Sequence, residues 1–242
     1  MSKCIKPADD VMGQALRDYA DGNRGEELIV HTSVAEADPY NVAYFFRTFE
    51  EMPALEQKAL EMAQGEILDV GAGTGIHHLV LKQMGKSCKS IEISELSVDI
   101  MKQRSVENVE CIDFFDLESQ SFDTILFLMN GIGLVETLDG FGKFFKQLRK
   151  LLNPGGQVLF DSSDLIYLFE EEDGSFLIDL NDKYYGEVDF QVEYKGVKAA
   201  SFPWLFVDFD NVQHIAEKFG FQADLVLSGE HYDYLARLTL KK

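Results

Sequence analysis

The chain has 242 residues and a mass of 27.4 kDa, which fits one domain of ordinary size. Hydrophobic residues make up 46% of it and charged residues 26%, which excludes a disordered chain, a collagen and a small disulfide scaffold. Lys and Arg total 22 against 42 Asp and Glu, so the formal charge of −20 disfavours a nucleic-acid partner.

The first 62 residues predict a helical segment outside the main fold. Apolar residues recur at helical spacing between Val11 and Tyr19 and again between Val42 and Phe49. The Asp-Pro pair at positions 38 and 39 is typical of a helix start, with Asp as the N-cap and Pro at the first helical position. We therefore expect residues 1–62 to form an N-terminal helical cap.

From residue 66 onward, short apolar runs alternate with helical patterns. The predicted strands are 66–70, 88–93, 109–112, 124–129 and 157–161. The predicted helices among them are 76–84, 95–103 and 138–152. Strands that alternate with helices predict a parallel sheet that is covered by helices on both faces.

The C-terminal end has a different pattern. Two apolar runs at 222–228 and 231–240 are separated only by Gly229 and Glu230, a link so short that the strands must pair antiparallel. The fold class is therefore doubly wound α/β, with a mostly parallel seven-stranded sheet and one antiparallel strand. We assign residues 63–161 and 208–242 to this core.

Residues 162–207 interrupt the alternation. Within them, positions 187–194 alternate polar and apolar side chains, Lys195 and Gly196 predict a turn, and positions 197–207 can return as a partner strand. We interpret 162–207 as an inserted segment with a β-hairpin that covers the substrate.

Polar side chains follow all five predicted parallel strands at their carboxyl ends, where open α/β sheets bind ligands. They are Asp69, Glu92, Asp113, Asn130 and Asp161. Because these strand ends meet at one edge of the sheet, the pattern predicts a binding site at this rim.

The loop after the first strand narrows the ligand class. Its glycines at 71, 73 and 75 allow a sharp turn against a ligand, but the third glycine of a dinucleotide motif would stand at position 76, which is Ile76. Asp69 suits an ammonium group better than a pyrophosphate, and Glu92 has the spacing of a residue that binds ribose hydroxyls. A nucleoside with a cationic tail is predicted, and S-adenosylmethionine fits that description.

The segment ILDVGAGTG at 67–75 resembles the glycine motif of class I S-adenosylmethionine-dependent methyltransferases. Four further segments match that family in order: SIEI at 90–93, VECIDF at 109–114, SFDTI at 121–125 and LLNPGGQVL at 151–159. The resemblance covers residues 66–161 and 208–240. It implies a Rossmann-like fold and in-line transfer of the cofactor methyl group to a small-molecule acceptor, with S-adenosylhomocysteine as the product.

The resemblance also implies a role for each matching residue. Asp69 and the glycine loop hold the methionine part, Glu92 binds the ribose, Ile93 packs on the adenine, and Asp113 accepts the adenine amine. The implied cofactor site comprises Asp69, Gly71, Ala72, Gly73, Thr74, Gly75, Glu92, Ile93, Asp113, Phe114, Met129 and Asn130.

The catalytic residues that we expect are Asp161, Asn130 and His31, with Asp164 as a further general base. His77 and His78 are weaker candidates for the base. They point about 100° apart on one helical turn, so no metal site is expected there. The acceptor is expected to contact aromatic and charged groups of the added segments, namely Tyr40, Tyr44, Arg47, Tyr167, Phe202 and Trp204.

Two alternatives stay open. One is an NAD-dependent oxidoreductase, which Ile76 and Asp69 oppose, and the other is a sensor or scaffold that binds S-adenosylmethionine without turnover. A nucleic-acid methyltransferase is opposed by the charge and by MNGIG at 129–133 in place of an Asn/Asp-Pro-Pro-aromatic motif. Three scattered cysteines, an N-terminus that turns acidic and apolar runs far shorter than the ~20 residues of a membrane span predict a cytoplasmic protein without a membrane partner. The oligomeric state is left open.

Overall fold

The computed structural model describes residues 4–171, 173–178 and 183–241. Parts of the predicted segments 1–62, 162–207 and 208–242 therefore lie outside the described residues. The N-terminal segment contains helix α1 (Val11–Ala20), strands β1 (Leu28–Thr32) and β2 (Asp38–Tyr40), and helix α2 (Ala54–Met62).

The prediction that this segment is helical is wrong for its middle part. β1 and β2 pair antiparallel, with Leu28 opposite Tyr40, and residues 42–46 and 49–51 form short 3-10 turns. The Asp-Pro pair lies in β2 instead of starting a helix. Leu28 is fully buried against side chains of α1 and of a distant strand, and such long-range pairing overrides the local helical pattern.

The rest of the chain follows the predicted alternation closely. The strands are β3 (Ile67–Val70), β4 (Cys88–Glu92), β5 (Val109–Cys111), β6 (Phe122–Phe127), β7 (Leu152–Ser163), β8 (Glu187–Tyr194), β9 (Val197–Lys198), β10 (Phe202–Leu205), β11 (Phe221–Ser228) and β12 (Asp233–Leu240). The helices are α3 (Ile76–Gln83), α4 (Glu95–Gln103), α5 (Phe141–Leu151) and α6 (Phe209–Lys218). None of the helices in the described ranges is long and apolar enough to cross a bilayer.

The core sheet has seven strands in the order β11-β12-β7-β6-β3-β4-β5. β12 runs antiparallel to both of its neighbours, and the pairs from β7 to β5 are parallel. The predicted sheet with one reversed strand is confirmed. From β3 the chain passes to β4 and β5 and then returns to place β6 and β7 on the other side, so the carboxyl ends of β3 and β6 flank a crevice.

An aromatic cluster holds α5 on this sheet. Phe141, Phe144 and Phe145 are fully buried at the i, i+3, i+4 spacing of one helix face, and the ring of Phe144 lies 5.2 Å from that of Phe127 in β6. Edge-on aromatic contacts of this kind give a dense, rigid layer. The strands that border the crevice are therefore held rigidly by the packing of α5 on the sheet.

A second sheet has its strands in the order β10-β8-β1-β2, with β9 paired to β8. The predicted strand 187–194 is confirmed, and its return is split into β9 and β10. The indole of Trp204 in β10 lies so close to Gly133 that a Cβ there would overlap it. We call this five-stranded unit the cap sheet. It rests on the segment that follows β6.

Candidate active site

The glycine loop between β3 and α3 leaves its backbone accessible to a ligand. Gly71, Gly73 and Gly75 have φ values of 70°, 55° and 78°, which favour glycine. A Cβ at Gly71 or Gly73 would meet no atom of the described residues within 4 Å, whereas one at Gly75 would lie 2.8 Å from Val106 Cγ2. The first two glycines thus face open space, and the third allows helix packing.

Glu92 closes one side of this loop. Its carboxylate accepts hydrogen bonds from the backbone N–H groups of Gly73 (2.8 Å), Ile93 (2.7 Å) and Ser94 (3.2 Å). Burial raises the pKa of this carboxyl, although the three N–H groups act in the opposite direction. The side chain of Ile93 is 38% exposed, so it offers an apolar surface beside the loop.

Asp69 lies at the end of β3 and is 1% exposed. Its Oδ1 is 3.9 Å from His77 Nδ1, and its Oδ2 is buried without a hydrogen-bond partner among the described residues. Burial raises the pKa of this carboxyl, and the charge of His77 offsets only part of that effect. We call such an atom, buried but without a hydrogen-bond partner, an open oxygen. It is energetically costly unless a donor or a cation contacts it, so this oxygen of Asp69 indicates a position for one.

A buried ionic network lies behind Asp69. His77 Nε2 is 2.8 Å from Glu56 Oε2, and Arg47 Nη2 donates to both oxygens of Glu56. Burial raises the pKa of Glu56, but the two cations outweigh it and lower that pKa. Burial lowers the pKa of His77, but Glu56 and Asp69 outweigh it and raise that pKa. The guanidinium of Arg47 stacks 3.6 Å from the centre of the Tyr44 ring.

The network reaches the segment after β6, where Arg47 Nη1 lies 3.7 Å from Met129 Sδ. Asn130 is in the left-handed region, and its N–H donates to Asp161 Oδ2 at 2.9 Å. Asp161 Oδ1 is a second open oxygen, buried with no partner in the described part of the chain. Burial raises the pKa of Asp161 to about 7, while the N–H of Asn130 lowers it.

Three predicted cofactor residues have structural contacts of their own. Phe114 is 3% exposed inside the aromatic cluster, so it is a core residue and not a surface of the crevice. Asp113 accepts a hydrogen bond from the N–H of Phe115 at 2.8 Å. Thr74 is buried, donates to the carbonyl of Phe45 and contacts Arg104 Nη1 at 2.7 Å, which fastens the N-terminal segment to the glycine loop.

The structure does not bring His31 to the rim. Leu28 and Val30 pack into the cluster under α1, so strand alternation places His31 on the opposite face of the cap sheet. Its Nε2 is 3.0 Å from Glu193 Oε2 in β8. The structure therefore places the predicted catalytic residue His31 away from the rim, because β1 directs its side chain to the outer face of the cap sheet.

Some of the other predicted side chains have structural contacts away from the rim, and others lie near it. Asp164 accepts hydrogen bonds from Tyr185 Oη (2.7 Å) and the N–H of Ile166 (2.9 Å) as a cap, and the ring of His78 is 2.9 Å from Ser90 Oγ. Tyr167 is 42% exposed and stacks on Tyr232. The predicted acceptor residues that border the open oxygens and the segment after β6 are Tyr44, Arg47 and Trp204.

Comparisons with known proteins agree with this geometry. A family model described as a methyltransferase domain matches residues 68–160. The crystal structure of an S-adenosylmethionine-dependent methyltransferase from Bacteroides fragilis, in complex with S-adenosyl-L-homocysteine, is 44% identical with a TM-score of 0.92. The match covers 99% of this chain and 98% of that one. The chain belongs to the class I S-adenosylmethionine-dependent methyltransferases.

More distant relatives of this methyltransferase share its fold or only part of its sequence. The CcbJ methyltransferase from Streptomyces caelestis has a TM-score of 0.60 at 15% identity, over 80% of this chain and 95% of that one, which shows a shared fold. The curated cypemycin N-terminal methyltransferase from Streptomyces sp is 28% identical over 102 residues. That match covers 40% of this chain and 42% of the relative, so the chain spans less than half of that protein.

The residues around the glycine loop of the methyltransferase fit its cofactor chemically. The backbone is open at Gly71 and Gly73, the carboxylate of Glu92 is fixed by the N–H of Gly73, and Asp69 has one oxygen without a partner among the described residues. Sequence patterns had singled out all four residues. They had not assigned Glu56 to the site, because an acidic residue in the first turn of a helix is ordinary.

Proposed function

We propose that this methyltransferase transfers the methyl group of S-adenosylmethionine to a small molecule held between the core rim and the cap sheet. The observation that carries the proposal is the pair of open oxygens on Asp69 and Asp161. They lie at the ends of β3 and β7, on either side of β6 and the segment that follows it. One suits the cofactor and the other suits an acceptor.

The residues at β3 and β4 would hold the cofactor. Asp69 would face the ammonium of its methionine part, and the N–H groups of the open glycines would meet the carboxylate. Glu92 would accept the ribose hydroxyls, Ile93 would pack on the adenine, and Asp113 would accept the adenine amine. When bound, the cofactor supplies a methyl group that its sulfonium has already activated.

The chain's remaining task is alignment. Met129 and Asn130 would border the passage from the cofactor to the acceptor, and the cap sheet would exclude water from it. Asp161 would accept a proton from the acceptor, with its second oxygen held by the N–H of Asn130. Tyr44 and Trp204 would contact the body of the acceptor.

The charge of the chain supports a small acceptor over a nucleic acid. A formal charge of −20 would repel nucleic-acid phosphates. The Streptomyces relative is named as the N-terminal methyltransferase of cypemycin. No observation favours binding without turnover, because the open oxygens and the open glycines are all intact.

The experiment is a labelling assay with S-adenosylmethionine that carries a radioactive methyl group. A bacterial extract is divided into dialysable, protein and nucleic-acid fractions, and each is incubated with the protein. We expect label in the dialysable fraction, and much less of it with the Asp69→Asn variant. Label that is recovered only in protein or nucleic acid would overturn the proposal.

A further inference from the structure

Asp161 and Asp69 carry separate open oxygens, and the mechanism above assigns only one of them to the cofactor. Asp161 Oδ2 is held by the N–H of Asn130 at 2.9 Å. Its Oδ1 is enclosed by protein and still lacks a donor within the described ranges. A group that can neutralise or donate to a carboxylate would satisfy this oxygen.

The charged and titratable groups that face Asp161 do not supply that group. Among the described residues, His77 is the cation that acts on Asp161, and both His77 and Arg47 bind Glu56. The Glu56 charge adds to the negative potential at Asp161 and raises its pKa, whereas His77 lowers it. The local balance of charge at Asp161 therefore favours an incoming cation.

Two tyrosines also face Asp161. Burial, with the charges of Glu56 and Asp161, raises the pKa of Tyr44 to about 12, so its hydroxyl stays neutral. The hydroxyl of Tyr234 donates to the carbonyl of Val207 at 2.7 Å. Neither tyrosine contributes a charge that would neutralise the aspartate.

We propose that the acceptor is an amine, and that the open oxygen of Asp161 binds its ammonium group. The inference rests on the proposed function. A hydroxyl would meet this oxygen without neutralising it, and a carboxylate acceptor would be repelled. The Tyr44 ring, stacked on Arg47, and the Trp204 indole, packed on Gly133, suit an apolar or aromatic substituent on the amine.

The chemical step balances with the amine as the only reactant besides S-adenosylmethionine. Asp161 accepts one proton from the ammonium, which frees the nitrogen lone pair. A nitrogen–carbon bond forms to the methyl group as the carbon–sulfur bond breaks, and the electron pair of that bond stays on sulfur. The products are S-adenosylhomocysteine, the methylated ammonium and one proton that leaves Asp161 for solvent.

Ammonium binding should release a proton from Asp161. Its pKa of about 7 in the free protein means that part of the population is protonated near neutral pH, and an adjacent ammonium favours the carboxylate. Release should approach one proton per amine below pH 7 and disappear well above it. The amine should accordingly bind more tightly as the pH rises through 7.

The test uses isothermal titration calorimetry on protein saturated with S-adenosylhomocysteine. The probes are benzylamine and its neutral analogue, benzyl alcohol, each titrated in two buffers of different ionisation enthalpy. We expect benzylamine to bind at least about tenfold more tightly than the alcohol and to release protons. Asp161→Asn should abolish that preference and keep the affinity for S-adenosylhomocysteine within about threefold. The exposed control Asp189→Asn in β8 should change neither.

Three results would overturn the amine acceptor: equal binding of the two probes, binding of neither, or an amine preference that survives Asp161→Asn. A loss of S-adenosylhomocysteine affinity in Asp161→Asn as large as in Asp69→Asn would also overturn it, because Asp161 would then belong to the cofactor site. Failure of the wild-type protein to bind S-adenosylhomocysteine would instead refute the proposed cofactor residues.

Discussion

Two groups of acidic side chains, Glu56 on one side and Asp69 with Asp161 on the other, differ in how their charges are satisfied. Glu56 receives Arg47 and His77, and all three side chains are at most 7% exposed. Asp69 is buried and Asp161 is partly buried, yet each keeps one buried oxygen that has no hydrogen-bond partner within the described structure. The paired network of Glu56 therefore has a structural role, whereas the unpaired oxygens of Asp69 and Asp161 are suited to binding a ligand.

Breaking the satisfied network should have the largest effect. Glu56→Ala leaves two buried cations without their carboxylate, so the free energy of unfolding should fall by about 3–5 kcal/mol. Urea denaturation measures the loss. The matched control is Glu217→Ala, which removes an exposed pair with Lys241 and should change nothing measurable. Equal losses in the two variants would contradict the structural role of Glu56.

The second-largest loss of stability is expected at the contact between the cap sheet and the core. Gly133→Ala would place a methyl group into the Trp204 indole, and overpacking of this kind costs about 1–3 kcal/mol. Trp204 is the chain's single tryptophan, so its fluorescence reports the displacement directly. Gly131→Ala is the control, because its Cβ would lie 3.5 Å from Phe127 Cβ, an ordinary contact. An emission spectrum that Gly133→Ala leaves unchanged would show that the cap is not seated there.

Removing an open oxygen's charge should stabilise the cofactor-free protein. Burial raises the pKa of Asp69 in the folded state, so stability falls as the pH rises from the ordinary aspartate range to that raised pKa, and it stays lower above it. Asp69→Asn should raise the free energy of unfolding by roughly 1 kcal/mol at neutral pH. The gain should vanish as the pH falls below the ordinary range of an aspartate, where the wild-type carboxyl is neutral too. A variant that is less stable at neutral pH would argue that Asp69 is a structural residue.

The smallest effect is expected at His31. His31→Gln removes a half-exposed contact with Glu193 on the outer face of the cap sheet, so stability should change by less than about 0.5 kcal/mol. The rate at which label passes from S-adenosylmethionine to the dialysable fraction should equal that of the wild type. A tenfold loss would restore His31 to the site.

The core was predictable because its signals are local. Helix α4 was predicted with its observed bounds, and β3, the glycine loop and Glu92 followed from short patterns with a physical reason. The cap sheet was less predictable. Residues 28–32 form strand β1 because they pair with β8, and nothing in their own sequence indicates a partner about 160 residues away.

The site residues that local patterns carry were predictable, and those that depend on tertiary contacts were not. Asp69 and Asp161 could be named because strand ends in this fold class carry ligand groups. Glu56 and the site role of His77 could not, because their meaning depends on α2 and α3 meeting behind β3. Phe114 was misassigned for a related reason: its neighbour Asp113 is at the rim, but the short turn that follows points the ring into the core.

The central claim is that Asp69 recognises the amino group of the cofactor's methionine part. Calorimetry with S-adenosylhomocysteine and with its deaminated analogue, on the wild type and on Asp69→Asn, forms a cycle that isolates this one contact. Asp69→Asn should weaken S-adenosylhomocysteine by about 10- to 100-fold and the deaminated analogue by less than about threefold. Equal weakening of both ligands would contradict the claim, because the aspartate would then act on the fold of the crevice and not on the amino group.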